Sequence, residues 1–74
     1  MELVAGEIYQ HYKGPHYRVL GVVRHSETLE ELVLYECLYE NESGQFWVRP
    51  RAMFEGSVIL NGAEVPRFRR VETI

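Results

Sequence analysis

Three short runs combine aromatic or imidazole rings with a cation: His11-Tyr12-Lys13-Gly14, Arg24-His25-Ser26-Glu27-Thr28 and Trp47-Val48-Arg49-Pro50. Rings offer stacking area and cations offer charge-assisted hydrogen bonds. Such groups can take up an extended peptide, a carboxylate, a phosphate or a stacked base. The contact set predicted on this ground is Tyr12, Arg24, His25, Tyr35, Trp47 and Arg49, with the two arginines as anion anchors. Each residue also has a structural role open to it. Tyr12 and Trp47 can cover a core while their polar tips stay in water. Arg24 or Arg49 can pair with Glu27, Glu30 or Glu31, and His25 can hold its own loop. Taken singly, each is well explained this way. The recurrence of one chemistry in three runs is what points to a shared ligand surface.

Other chemistries find less support. There is no glycine-rich phosphate loop and no Gly-x-Ser-x-Gly elbow. All 11 acidic residues are Glu, so a Ser–His–Asp triad is impossible, although Glu could substitute. His11, His16 and His25 lack HxxxH or HxH spacing and Cys37 stands alone, so neither a metal nor another cofactor is implied. A single Cys within an apolar strand reads as a small core residue. An acid–base site built on His11 or His25 with Glu27, Glu30 or Glu31 would suit a small enzyme or sensor. A nucleic-acid surface could use Arg51, Arg67, Arg69 and Arg70. The net charge of −3 weighs against the second, because a basic face normally supplies such affinity. Size weighs against the first. A chain of 74 residues buries only about 60% of its unfolded surface, which leaves little for a water-excluding active site. A non-enzymatic binding module for a peptide or small anionic ligand therefore leads. Pairing of two copies would also bury useful apolar surface.

The elements that must position these groups are short. Gly and Pro recur throughout, at Gly6, Gly14-Pro15, Gly21, Gly44, Pro50, Gly56, Gly62 and Pro66, with strand-like runs between them. Val58-Ile59-Leu60-Asn61-Gly62-Ala63-Glu64-Val65 predicts a two-residue hairpin with Leu60 opposite Ala63 and Val58 opposite Val65. Tyr17 to Arg24 reads as a long central strand with a bulge or bend at Gly21, and Ile8 to Tyr12 as a shorter strand pairing back on it. Thr28-Leu29-Glu30-Glu31 matches a helix capping box, yet Val33, Tyr35 and Tyr39 favour a strand over about 32–39. Gln45 to Arg49 predicts the next strand, and Pro50 to Phe54 one helical turn with Met53 and Phe54 inward. The expected fold is all-β: a small SH3-like barrel of five or six antiparallel strands forming one domain over 1–74. The absence of a disulfide framework predicts a reducing, cytoplasmic setting. Met1 to Gly6 has no basic start or long apolar run, so neither a signal peptide nor a membrane span is expected.

Several runs together resemble a bacterial domain-of-unknown-function family, number 1653. They are Gly6-x-Ile8-Tyr9-x-His11-Tyr12-Lys13-Gly14, the stretch from Tyr17 through Arg24-His25-Ser26-Glu27-Thr28-Leu29-Glu30-Glu31, Tyr35, Trp47-Val48-Arg49-Pro50-x-x-Met53-Phe54, and Val65-Pro66-Arg67-Phe68. The resemblance covers nearly the whole chain. It implies a small SH3-like barrel with a strand in the 28–39 segment, and it implies no activity.

Overall fold

The computed structural model describes residues 3–72. Seven strands and one helical turn follow in the order β1 (Ile8–His11), β2 (His16–Arg24), β3 (Glu31–Cys37), β4 (Phe46–Pro50), α1 (Arg51–Phe54), β5 (Ser57–Leu60), β6 (Ala63–Pro66) and β7 (Phe68–Val71). Two antiparallel sheets form: a five-stranded one ordered β4-β3-β2-β1-β7, and the β5-β6 hairpin. The all-β expectation is met, with seven strands rather than five or six. Among the described residues the two sheets pair separately and do not close into a barrel.

Local chemistry accounts for most of the elements. Asn61 and Gly62 both take positive φ, 52° and 81°, and the hairpin register is the expected one, Val58 with Val65 and Leu60 with Ala63. In β2 the register slips between Val19 and Gly21, a bulge where glycine relaxes the backbone. The capping-box residues do not start a helix. The Thr28 hydroxyl instead accepts the Glu30 N–H at 3.2 Å, a local turn bond available to any Thr outside a helix. The chain then enters β3 directly.

Burial alternates along β3, with Val33, Tyr35 and Cys37 inside. They join Tyr9, Val19, Phe54 and Phe68 in the core. Phe54 and Phe68 stack at 4.1 Å with planes 8° apart, and Tyr9 meets Phe54 edge-on at 5.4 Å. The helical turn buries Phe54 but leaves Met53 47% exposed, against the expectation that both point inward. Successive helical residues lie about 100° apart, so a single turn can aim only one of two neighbours at the core.

The strand with the weakest local signal is β7. It pairs with β1 across some 60 residues of chain, matching His11 with Phe68, Gln10 with Arg69 and Tyr9 with Arg70. Two further bonds tie the hairpin base to this edge. Tyr12 N–H donates to the Arg67 carbonyl, and Arg67 N–H to the Gly56 carbonyl, each at 3.0 Å.

Candidate functional site

The pairing of β1 with β7 brings His11 edge-on to Phe68, with ring centroids 5.0 Å apart. Tyr12 follows at the end of β1, its ring 4.5 Å from His11, and the Lys13 ammonium lies 5.8 Å from the Tyr12 ring. Arg49 reaches the same place from β4. Its partner across the ladder is Val33, a core residue, so Arg49 shares the inward face of the sheet. Its Nε donates to the Tyr35 hydroxyl at 3.4 Å, Nη1 lies 3.7 Å from Met53 Sδ, and the guanidinium stands over the Phe68 ring at 5.5 Å. Phe54 already covers one face of that ring, which leaves the other to the cation.

The electrostatics here are one-sided. Arg18 pairs with Glu36, Arg51 with Glu31 and Glu55, and Arg70 with Glu7, at 3.1 to 3.4 Å. Lys13, Arg24, Arg49, Arg67 and Arg69 have no carboxylate within ion-pair distance among the described residues. Three of these five, Arg49, Arg67 and Lys13, bear on the charge of His11. Burial depresses the His11 pKa below its ordinary value, and the charges of Arg49, Arg67 and Lys13 depress it further. Its Nδ1 accepts the Lys13 backbone N–H at 3.1 Å, which leaves Nε2 to carry the proton of the neutral ring. Arg67 adds a buried Nε that makes no hydrogen bond to any described residue. A cationic, acceptor-poor surface therefore borders the aromatic core.

Of the six residues named from the sequence, the fold gathers Tyr35 and Arg49 around Phe68, with Tyr12 set beside His11. Tyr35 is 5% exposed, so it receives Arg49 through its hydroxyl and offers little ring surface to a ligand. Arg24 and His25 make their polar contacts within the β2–β3 connection. Arg24 Nη1 donates to the Leu29 carbonyl at 3.3 Å. The His25 ring accepts the Glu27 and Thr28 N–H groups at 3.1 and 3.4 Å, and its backbone bonds Glu30 and Leu29 at 2.9 Å. Trp47 folds over the turn before β4. Its Nε1 donates to the Gly44 carbonyl at 3.0 Å, and the indole lies against Gly44, whose φ of 146° favours glycine. These three hold loops in place.

The acid–base pairings of His11 or His25 with Glu27, Glu30 or Glu31 do not form, since the bonds of each histidine are to backbone N–H groups. The four arginines considered for nucleic acid divide as well. Arg51 and Arg70 are ion-paired, while Arg67 and Arg69 meet no carboxylate among the described residues. Among the described residues no three metal-ligating side chains come together. Cys37 is buried beside the Gly44 carbonyl and the Asn41 amide. No helix among the described residues is long and apolar enough to cross a membrane.

Phe68 escaped the sequence reading as a site residue, and Arg67 entered it only as a nucleic-acid contact. The run Phe68-Arg69-Arg70-Val71 does not alternate apolar with polar and is too short to be told from a tail.

The small two-sheet β domain that carries these residues has known relatives. Residues 7–70 match the family described as Protein of unknown function (DUF1653), and the chain belongs to that family. It is similar to a DUF1653 protein from Bordetella bronchiseptica whose crystal structure is known. The two are 33% identical with a TM-score of 0.88, over 99% of this chain and 92% of that one. No curated protein matches the chain.

Proposed function

We propose that this domain is a non-enzymatic binding module that captures an anionic group, a carboxylate or phosphate, borne by a peptide or small molecule. The observation that carries this reading is the neighbourhood of His11. In a chain of net charge −3, the charges of Lys13, Arg49 and Arg67 all bear on one imidazole, and none of the three has a carboxylate partner among the described residues. Like charges held together are unfavourable unless something of opposite sign is to be received, and a guanidinium fixed over a ring presents its donors with little further loss of freedom. In this reading Arg49 is the principal anchor, Lys13 and Arg67 add charge, and Tyr12 supplies stacking area. His11 donates through Nε2 and, as the anion arrives, takes up a proton at Nδ1 in place of the bond from the Lys13 N–H. The lone buried thiol suits a reducing, cytoplasmic setting.

Titration of the labelled protein with inorganic phosphate, followed by amide and imidazole NMR, tests the reading. Shifts should concentrate at His11, Lys13 and Phe68, and the His11 midpoint should rise with phosphate. Shifts confined to Arg24 and His25, or none, would sink it.

A further inference from the structure

A second feature lies on the opposite side of the β1–β7 edge. Successive strand residues point to opposite faces. Since His11 and Phe68 face the core, their neighbours Gln10 and Arg69, paired with each other, face away from it. There the β5–β6 hairpin stands beside the end of β1 and encloses a cleft of about 320 Å³. Its apolar walls are Leu60, Val65 and Pro66 from the hairpin and the Tyr12 ring from the strand end. His11 contributes an edge, and the polar floor is Gln10 and Arg69.

Arg69 is held ready. The Gln10 amide nitrogen donates to the Gly14 carbonyl at 3.1 Å, which fixes the amide, and its Oε1 then accepts Arg69 Nη2 at 2.8 Å. The remaining guanidinium donors of Arg69 meet no carboxylate among the described residues, and no acidic residue lines the cleft. Leu60 is 42% exposed at a position whose side chain borders this space. A volume near the lower end of the range for small-molecule sites, roughly 300–1,000 Å³, matches a small compound rather than a folded partner.

We infer that this cleft binds a small molecule with an apolar body and one carboxylate, the body against Leu60, Val65, Pro66 and Tyr12 and the carboxylate on Arg69. The site goes beyond the Arg49 surface: it shares the His11–Tyr12 corner with it and differs in anchor and in need for apolar bulk. An anion without a hydrocarbon body suffices at Arg49. At Arg69 the body supplies much of the affinity, about 3-fold or more for each methylene fully buried.

The probes are acetate, hexanoate and 1-hexanol, followed by amide NMR at Leu60, Val65 and Arg69. Hexanoate should shift these amides and bind at least 10-fold more tightly than either acetate or hexanol. Arg69→Gln should bring hexanoate down to the level of hexanol, while Arg49→Gln should leave it unchanged. Leu60→Asp, at an exposed hairpin position that tolerates a polar residue, should abolish hexanoate binding by replacing an apolar wall with a charge set against the hydrocarbon body. Equal binding of hexanol and hexanoate would overturn the inference, as would shifts that avoid the cleft or insensitivity to both cleft variants. If phosphate binding at Arg49 fails while hexanoate binds here, only the preceding reading falls. The reverse result removes only this one.

Discussion

Replacing Arg49 with Gln separates its structural from its binding contribution, and the two can be sized from its contacts. The bond to the Tyr35 hydroxyl at 3.4 Å and the approach to Met53 Sδ at 3.7 Å are both long. Together they contribute no more than the ~1 kcal/mol of one ordinary hydrogen bond. The cation over Phe68 adds about 0.5–1 kcal/mol. Glutamine keeps part of the stem and a donor, so the variant should lose about 1 kcal/mol, or roughly 4–8 °C in Tm for a domain of this size. The anion loses more. A charge-assisted hydrogen bond contributes about 1.5–3 kcal/mol, so affinity for phosphate should fall roughly 10- to 150-fold. A third reading comes from the same protein. With one cation gone from its surroundings, the His11 pKa should rise toward its ordinary value. Thermal melts, phosphate titration and His11 NMR would be run on one preparation. A folded variant that binds phosphate within twofold of the native protein would refute the assignment of Arg49 as anchor, and a fixed His11 midpoint would refute the electrostatic picture.

Three further outcomes are expected. Because the folded pKa of His11 lies below its unfolded value of 6.5, the unfolded chain binds more protons in the window just below 6.5. The His11 contribution to stability is therefore intact above that pH and declines as pH falls through the window, and His11→Gln should flatten this part of a Tm-against-pH curve. Phe68→Ala removes a ring that is 3% exposed and stacked on Phe54. Its cost of about 3–5 kcal/mol equals the whole stability expected of a core this small, so the variant should lose its cooperative melt by circular dichroism. Leu29 sits at φ 64° with 62% of its surface exposed. Leu29→Asn, better suited to that conformation, should stabilise by up to about 1 kcal/mol in denaturant melts, and a loss would show that the leucine side chain contributes to packing.

What the chain determined by itself was whatever neighbouring residues settle among themselves. The Asn61-Gly62 turn sets its own register because few residue types tolerate two positive φ values in succession. The Gly21 bulge, the alternation of β3 and the placement of α1 after Pro50 are equally local. The chemistry of the site was legible as well, in the sense that Tyr12 and Arg49 stood out by type. Which of the ring-and-cation runs would meet was not legible. Arg24, His25 and Trp47 carry the same chemistry as Arg49, but each closes a hydrogen bond inside its own turn, and sequence cannot weigh a bond to the local backbone against one to a ligand. The deciding contact is the pairing of β1 with β7. It spans almost the full chain and is favoured only once Phe54 and Phe68 stack to bury the aromatic core. That packing draws Phe68 under Arg49 and beside His11, sends Arg69 to the other face, and so divides the basic tail between two surfaces. A strand of four residues has too little pattern of its own to announce this, and its place is set by the surface it helps to bury.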